Sequence, residues 1–451
     1  MFRRTLIAAA LAAFAGSPLA AVTADEAKQL GTTLTPVGAE KAGNKDGTIP
    51  EWTGGLTAPP AGFQKGTGIR PDPFAADKPR LVITGKDVAP HADKLTEGTK
   101  ELLKRYPTMR VDVYPTRRPV HFDRRIVENT LKNATGAKTV DDGLGMENAL
   151  AGFPFPIPKT GSEAMWNHLM RYQGFNFQVK YDNWNVDSAG VPTLATTGEI
   201  WQEFPVFDPK KVEPAKATDL YFRTKLLYLG PARRNGEALL VQDAVNPFVQ
   251  ARKGWQYLPG QRRVKLAPDI AYDTPNPGSA GLTTYDDAWV FNGAMDRFDW
   301  KLVGKKEMVV PYNNYRLQYA KNPADVTKPN HLNPDLVRWE LHRVWVVEAT
   351  LKPGKRHIYA KRTFYLDEDS WVALASDQYD ARGQLFVSGF DFMTFNYDVQ
   401  STNTDCQGFY NFINGAYNIT GLSGAYYGTR FIEPLPATQW SPEALAGAGI
   451  R

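Results

Sequence analysis

A chain of 451 residues carrying a formal charge of +5, with 22% charged and 12% aromatic residues and one cysteine, is long enough for a large core that no internal disulfide staples. The mild positive balance contains no basic run dense enough to track a phosphate backbone, which argues against nucleic acid as a partner. No segment after the N-terminal leader has the length and apolarity of a membrane-spanning helix.

The leader is the first readable element. Arg3 and Arg4 precede an apolar run over residues 6–15, then a Gly16-Ser17-Pro18 break and small residues at Ala20, Ala21 and Ala24, the layout of a secretory signal peptide. Cleavage is expected between about residues 20 and 24. No cysteine follows the run, which argues against a lipid anchor, and the expected compartment is the periplasm of a Gram-negative bacterium. Residues 1–24 are therefore read as signal and 25–451 as one elaborated domain, with loops and helices to about 171 and a β-rich part from about 172.

Residues 25–30 suit a short helix, and residues 43–60 hold too many Gly, Pro, Asn and Asp for a regular element. Asn44, Asp46 and Glu51 lack the order of a calcium loop, so the stretch reads as an ordered surface wrap and no metal is assigned to it. Amphipathic spacing predicts a helix over 91–106, ending before Pro107, and a second over 123–134. Thr160-x-x-Glu163 is a capping box opening a third, whose Met165, Trp166, Leu169 and Tyr172 form a core-type stripe. His168 on it has no carboxylate or second histidine four residues away and reads as a hydrogen-bonded structural side chain.

Alternation of apolar and polar residues then predicts strands over 173–186, 193–204, 221–229, 237–245 and 253–258, the last turning at Pro259-Gly260. Pro275, Pro277, Gly278 and Gly281 mark residues 268–300 as a long excursion before a strand at 301–311. A meander follows over 344–351, 358–366 and 371–379. Its breaks are Pro353-Gly354, Asp367 to Ser370 and Asp380 to Gly383. Asp367, Glu368 and Asp369 resemble a glycosidase carboxylate pair only in composition, because adjacent side chains on a turn diverge. Cys406 reads as a small buried side chain. No nucleophile elbow, zinc-protease helix, Walker loop or dinucleotide fingerprint is present, so no catalytic residues and no cofactor are assigned.

Four motifs in order carry a resemblance. They are residues 43–55 (GNKDGTIPEWTGG), residues 153–158 (FPFPIP) leading to Trp166-Asn167-His168, residues 257–264 (YLPGQRRV), and residues 362–367 (RTFYLD) with 379–383 (YDARG). Together they resemble the exported bacterial family called domain of unknown function 1329, which is described as similar to outer-membrane lipoprotein-sorting proteins of the LolA and LolB type. That resemblance implies an α+β, mainly antiparallel β fold. It would be a strongly curved, incomplete β-barrel with helices covering the open side over an apolar cavity. It also implies, as partners, an inner-membrane transporter of the resistance-nodulation-division type and an outer-membrane β-barrel.

The reading that follows is a periplasmic binding or transfer protein for a lipid or other hydrophobic molecule. The alternatives are a cell-envelope hydrolase acting on polysaccharide or ester, and a scaffold that docks on an outer-membrane barrel without a ligand. Candidate ligand-binding residues are Trp255, Tyr257, Trp345, Val347, Phe364 and Leu385 as cavity wall and Arg262 as a head-group contact at the rim.

Overall fold

Sixteen strands share one sheet in the computed structural model, which describes residues 22–448. The expected signal peptide therefore lies almost wholly outside the described residues. In chain order the strands are β1 (Leu81–Thr84), β2 (Arg110–Tyr114), β3 (Asn176–Val186), β4 (Pro192–Glu203), β5 (Leu220–Gly230), β6 (Ala238–Ala244), β7 (Lys253–Leu258) and β8 (Arg263–Leu266). The second set is β9 (Phe298–Pro311), β10 (Trp339–Leu351), β11 (Lys361–Asp367), β12 (Ala373–Tyr379), β13 (Leu385–Asp391), β14 (Gln407–Asn411), β15 (Tyr417–Leu422) and β16 (Thr429–Phe431).

Spatial order is β1-β2-β10-β11-β12-β13-β14-β15-β3-β4-β5-β6-β7-β8, with β9 added on β10 and β16 on β3. All pairings are antiparallel except the two-residue contact of β2 with β10. Most neighbours in space are neighbours in sequence, as hairpin connections require. The exceptions are β2 against β10, β16 against β3, and β15 against β3, the last of which joins the C-terminal meander to the earlier one. The sheet curls strongly without closing, so it is an incomplete barrel.

The helices sit where their sequences direct them. The predicted 91–106 helix is broken. A 3-10 turn at Ala89–Lys94 gives way to extended Leu95, and α1 (Glu97–Arg105) starts afresh with Thr96 accepting from the Thr99 amide. That N-terminus lies so close to the sheet that a Cβ at Gly98 would fall 2.1 Å from Ser388 Oγ, and Asp377 of β12 accepts from the Glu97 and Gly98 amides. Helix α2 (Arg124–Gly136) is capped by Asp123. Helix α3 (Gly161–Leu169) is capped by Thr160, while the Glu163 carboxylate reaches one residue further back, to the Lys159 amide. A short C-terminal helix, α4 (Pro442–Ala448), packs Leu445 onto the outer face of β6 and β7. Among the described residues, no helix is long and apolar enough to cross a membrane.

Register separates the two faces of the sheet. Val347, Phe364, Ser376, Gly389 and Phe409 pair in a row across β10 to β14 and mark the inner face. Helix α3 rests on the inner side of this half, and His168 locks it there. Its Nδ1 accepts from the Ala373 amide (3.1 Å) and its Nε2 lies 3.0 Å from the Phe291 carbonyl oxygen. The imidazole is fully buried, and desolvation, with Arg171 nearby, drives its pKa down to about 3, so it is neutral.

Candidate functional site

A second inner-face row, Val179, Ile200, Leu226 and Leu239, runs straight across β3, β4, β5 and β6. Period-two alternation puts Tyr181, Phe222, Thr224, Tyr228 and Val241 on the same side. Among the described residues, no α-helix covers this half of the sheet. Residues 268–297, the excursion between β8 and β9, fold over it as a strap of three 3-10 turns. Between strap and sheet is a cavity of about 160 Å³, walled by the row just named and roofed by Tyr285, Ala288 and Trp289.

Two sets of contacts hold the strap down. At its middle, the Gly278 carbonyl accepts from Asn183 Nδ2 (3.1 Å) and Thr196 Oγ1 (2.9 Å), and the Ser279 carbonyl from Asn185 Nδ2 (2.6 Å). Near its end, Asp286 and Asp287 meet Arg362 of β11 at 2.9 and 3.0 Å. His357 Nε2 also donates to Asp286 (2.9 Å), and the Tyr359 hydroxyl to Asp287 (3.0 Å). The guanidinium lies 5.0–5.2 Å from the ring centres of Phe291, Tyr359 and Phe364, and its residue is 0% exposed. Burial pushes the Asp286 carboxyl up, but Arg362 and His357 outweigh it and hold the group below the usual carboxylate range. Asp287 goes the other way, raised by burial and by its acidic neighbour despite Arg362.

Just beyond Arg362 the strap is strained. Trp289 and Val290 have φ of 52° and 66°, a region that a β-branched residue rarely enters. The turn aims Trp289 down onto Phe222 (5.4 Å between ring centres), and its amide donates to Gln407 Oε1 (2.6 Å). Asp405 supplies a carboxyl to the cavity wall, and burial lifts its pKa to about 6.

A second cavity, of about 200 Å³, lies between Trp166 and Leu169 of α3, residues 247–251 and the two ends of the strap. Arg252 lines both cavities. It makes a two-point ion pair with Asp243 (2.6 Å at each contact) and donates to Asn292 Oδ1 on the strap (2.8 Å). At the lip of the second cavity Phe248 is 64% exposed, beside Val249 at 58%.

The seven residues singled out from sequence are dispersed, and none lines either cavity. Val347 and Phe364 do face inward, but their half is filled: Phe364 packs on Phe291 and Trp300, 5.6 and 5.8 Å between ring centres. Trp345 stacks on Trp371, and Leu385 is half-buried against the main core. Trp255 and Tyr257 pair with Leu240 and Ala238 on the outer face, beneath α4. Arg262 is exposed in the β7–β8 turn in the left-handed region, φ 49°. The wall that does exist was signalled by the predicted strands over 173–245, where alternation marks two faces but not which one is inside.

The family model described as "Protein of unknown function (DUF1329)" matches residues 82–446. An uncharacterized protein of Pseudomonas aeruginosa is 40% identical over 452 residues, covering 98% of this chain and 97% of its own. Among solved structures, a candidate outer membrane lipoprotein-sorting protein domain from Vibrio parahaemolyticus is 15% identical with a TM-score of 0.43, covering 63% of this chain and 97% of its own. A DUF1329 family protein from Desulfovibrio piger is 14% identical with a TM-score of 0.40, covering 60% of this chain and 91% of its own.

Proposed function

Taking as premise that this chain belongs to the DUF1329 family, we propose that it is a periplasmic binding and transfer protein for a hydrophobic molecule, held between the inner face of β3–β6 and the strap of residues 268–297. One observation carries the reading. The inner face is filled by α3 and aromatic side chains over one half, yet over the other an unbroken aliphatic row is left facing a roofed space. A sheet that needed only a core would be packed there as tightly as elsewhere.

Size narrows the ligand. A dry apolar cavity of about 150 Å³ holds a benzene-sized group. Each of the two spaces here is of that order, so each accepts one ring or a short acyl segment with the strap closed. Burying about 300 Å² of apolar ligand surface across both contributes about 7 kcal/mol before ordering costs. A longer lipid chain requires the strap to lift, and the exposed Phe248 and Val249 lie where it would enter. The same lip offers apolar contact area to an envelope partner, for which the inner-membrane transporter of the resistance-nodulation-division type and the outer-membrane β-barrel are the first to test.

The test is uptake of an apolar fluorescent fatty-acid probe, with native mass spectrometry of protein purified from its own host. Wild-type protein is expected to bind the probe at about micromolar Kd, and Leu239→Phe, which fills the wall row, to weaken it at least about tenfold. Probe binding that is absent, or unchanged by Leu239→Phe, overturns the reading.

A further inference from the structure

The β11–β12 turn is acidic in sequence but lies out of water. Asp367, Glu368 and Asp369 are 0%, 2% and 2% exposed. Glu368 is matched by Lys305 (2.8 Å) and Arg343 (3.3 Å), and Asp369 by Nε and Nη2 of Arg118, one on each carboxylate oxygen (2.8 and 2.7 Å). Asp367 is only half matched. Its Oδ2 accepts from the Tyr312 (2.9 Å) and Ser370 (2.5 Å) hydroxyls, while its Oδ1 has no hydrogen-bond partner. That bare oxygen lies 3.9 Å from His342 Nδ1.

His342 is held with the matching polarity. Its Nε2 donates to the Glu340 carboxylate (3.0 Å), and its ring stacks on Tyr312 at 3.7 Å. Nδ1 is thereby the nitrogen turned toward Asp367. One ligand atom from each of His342, Asp367 and Asp369 lies within 4.8 Å of the other two. We propose that these three side chains bind a divalent first-row transition ion, zinc foremost, with Glu340 as the residue that orients His342.

An imidazole whose far nitrogen is tied to a carboxylate is the usual support of a metal-bound histidine. One nitrogen and two carboxylate oxygens, with a water as the fourth ligand, suit zinc better than calcium, which takes six or more oxygens. An ion with bonds of about 2.0–2.2 Å wants its ligands about 3.3–3.6 Å apart, so the three groups draw in slightly on binding. Arg118 already holds Asp369, so that carboxylate serves the ion with its remaining lone pairs and the affinity is moderated. A cavity of about 150 Å³ beneath Thr35 to Val37 and Trp52 of the N-terminal wrap has Asp369 in its wall, so of the three side chains Asp369 is the one it reaches. The wall of that cavity also carries His121, neither of whose ring nitrogens has a hydrogen-bond partner. His342 lies an odd number of residues from Val347 along β10, hence on the face away from the ligand cavity, so the ion would not touch the ligand.

The test uses the mature protein purified without chelators. Elemental analysis is expected to find about one zinc per chain, and cobalt added after chelator dialysis to give visible absorption bands and a raised Tm. Asp367→Asn is expected to abolish the cobalt bands while melting cooperatively, and Glu340→Gln to weaken binding about 10- to 100-fold. Should Asp367→Asn fail to fold, His342→Gln takes its place. Wild-type protein with neither stoichiometric metal nor cobalt bands, or a folded variant that binds like wild type, overturns the proposal.

Discussion

Ile270 Cδ1 occupies the space that a side chain at Gly254 would need: a Cβ placed on Gly254 falls 1.9 Å from it. The glycine of β7 is thus the seat on which the start of the strap rests. Gly254→Ala is expected to lift that end, costing about 1–3 kcal/mol. Hydrogen exchange should show faster amide exchange confined to residues 268–297, and unchanged exchange there would refute the seat.

Among the described residues, Arg362 is the sole arginine or lysine in direct contact with Asp286 and Asp287. Removing one partner of a buried pair strands the other, at about 3–5 kcal/mol. Arg362→Ala is expected to lose that much in urea unfolding. Arg362→Lys is expected to recover only part of it, since a point charge cannot reach both carboxylates as the planar fork does.

His168 makes stability depend on pH in a defined sense. Its pKa falls from about 6.5 unfolded to about 3 folded, so the folded state binds fewer protons. The associated stability is full above pH 6.5 and is lost as pH falls toward 3, up to about 5 kcal/mol at the limit. The His168 ring resonances are expected not to titrate between pH 8 and 4. A midpoint near 6 would contradict the buried neutral state.

Cys406 is 0% exposed, and burial pushes its thiol well above the ordinary range. Native protein is expected to resist a thiol reagent at pH 8 for hours, and to react with one equivalent in denaturant. Rapid native labelling would show that β14 opens far more readily than its burial implies.

Much of the fold was legible because hairpins leave local marks. The β7 strand was bounded at residues 253 and 258 by alternation and a Pro-Gly turn, and α3 by its Thr160 cap. Long-range pairing was not legible. Nothing local tells β15 that its partner is β3, yet that junction decides which face of Val179 and Leu239 is enclosed. The candidate positions show the same limit: Trp255 and Tyr257 are the aromatic positions of their hairpin, and the odd-numbered face of β7 looks outward. The turn at Asp367 was correctly placed between strands. Its burial depends on Arg118 and Lys305, far away in sequence, and could not be read from the turn.

The order of the pieces along the chain has a consequence for assembly. The bowl strands β3 to β6 and the strap over them have all been made by residue 297, whereas the arginine that fastens the strap arrives about 65 residues later. A chain folding from its N-terminus passes through a stage with the bowl shaped and the latch missing, when its aliphatic row is open to whatever is nearby. Cargo loaded at that moment would be sealed in by the completion of folding itself. Refolding with and without probe present would reveal it as a difference in trapped ligand at equal final structure.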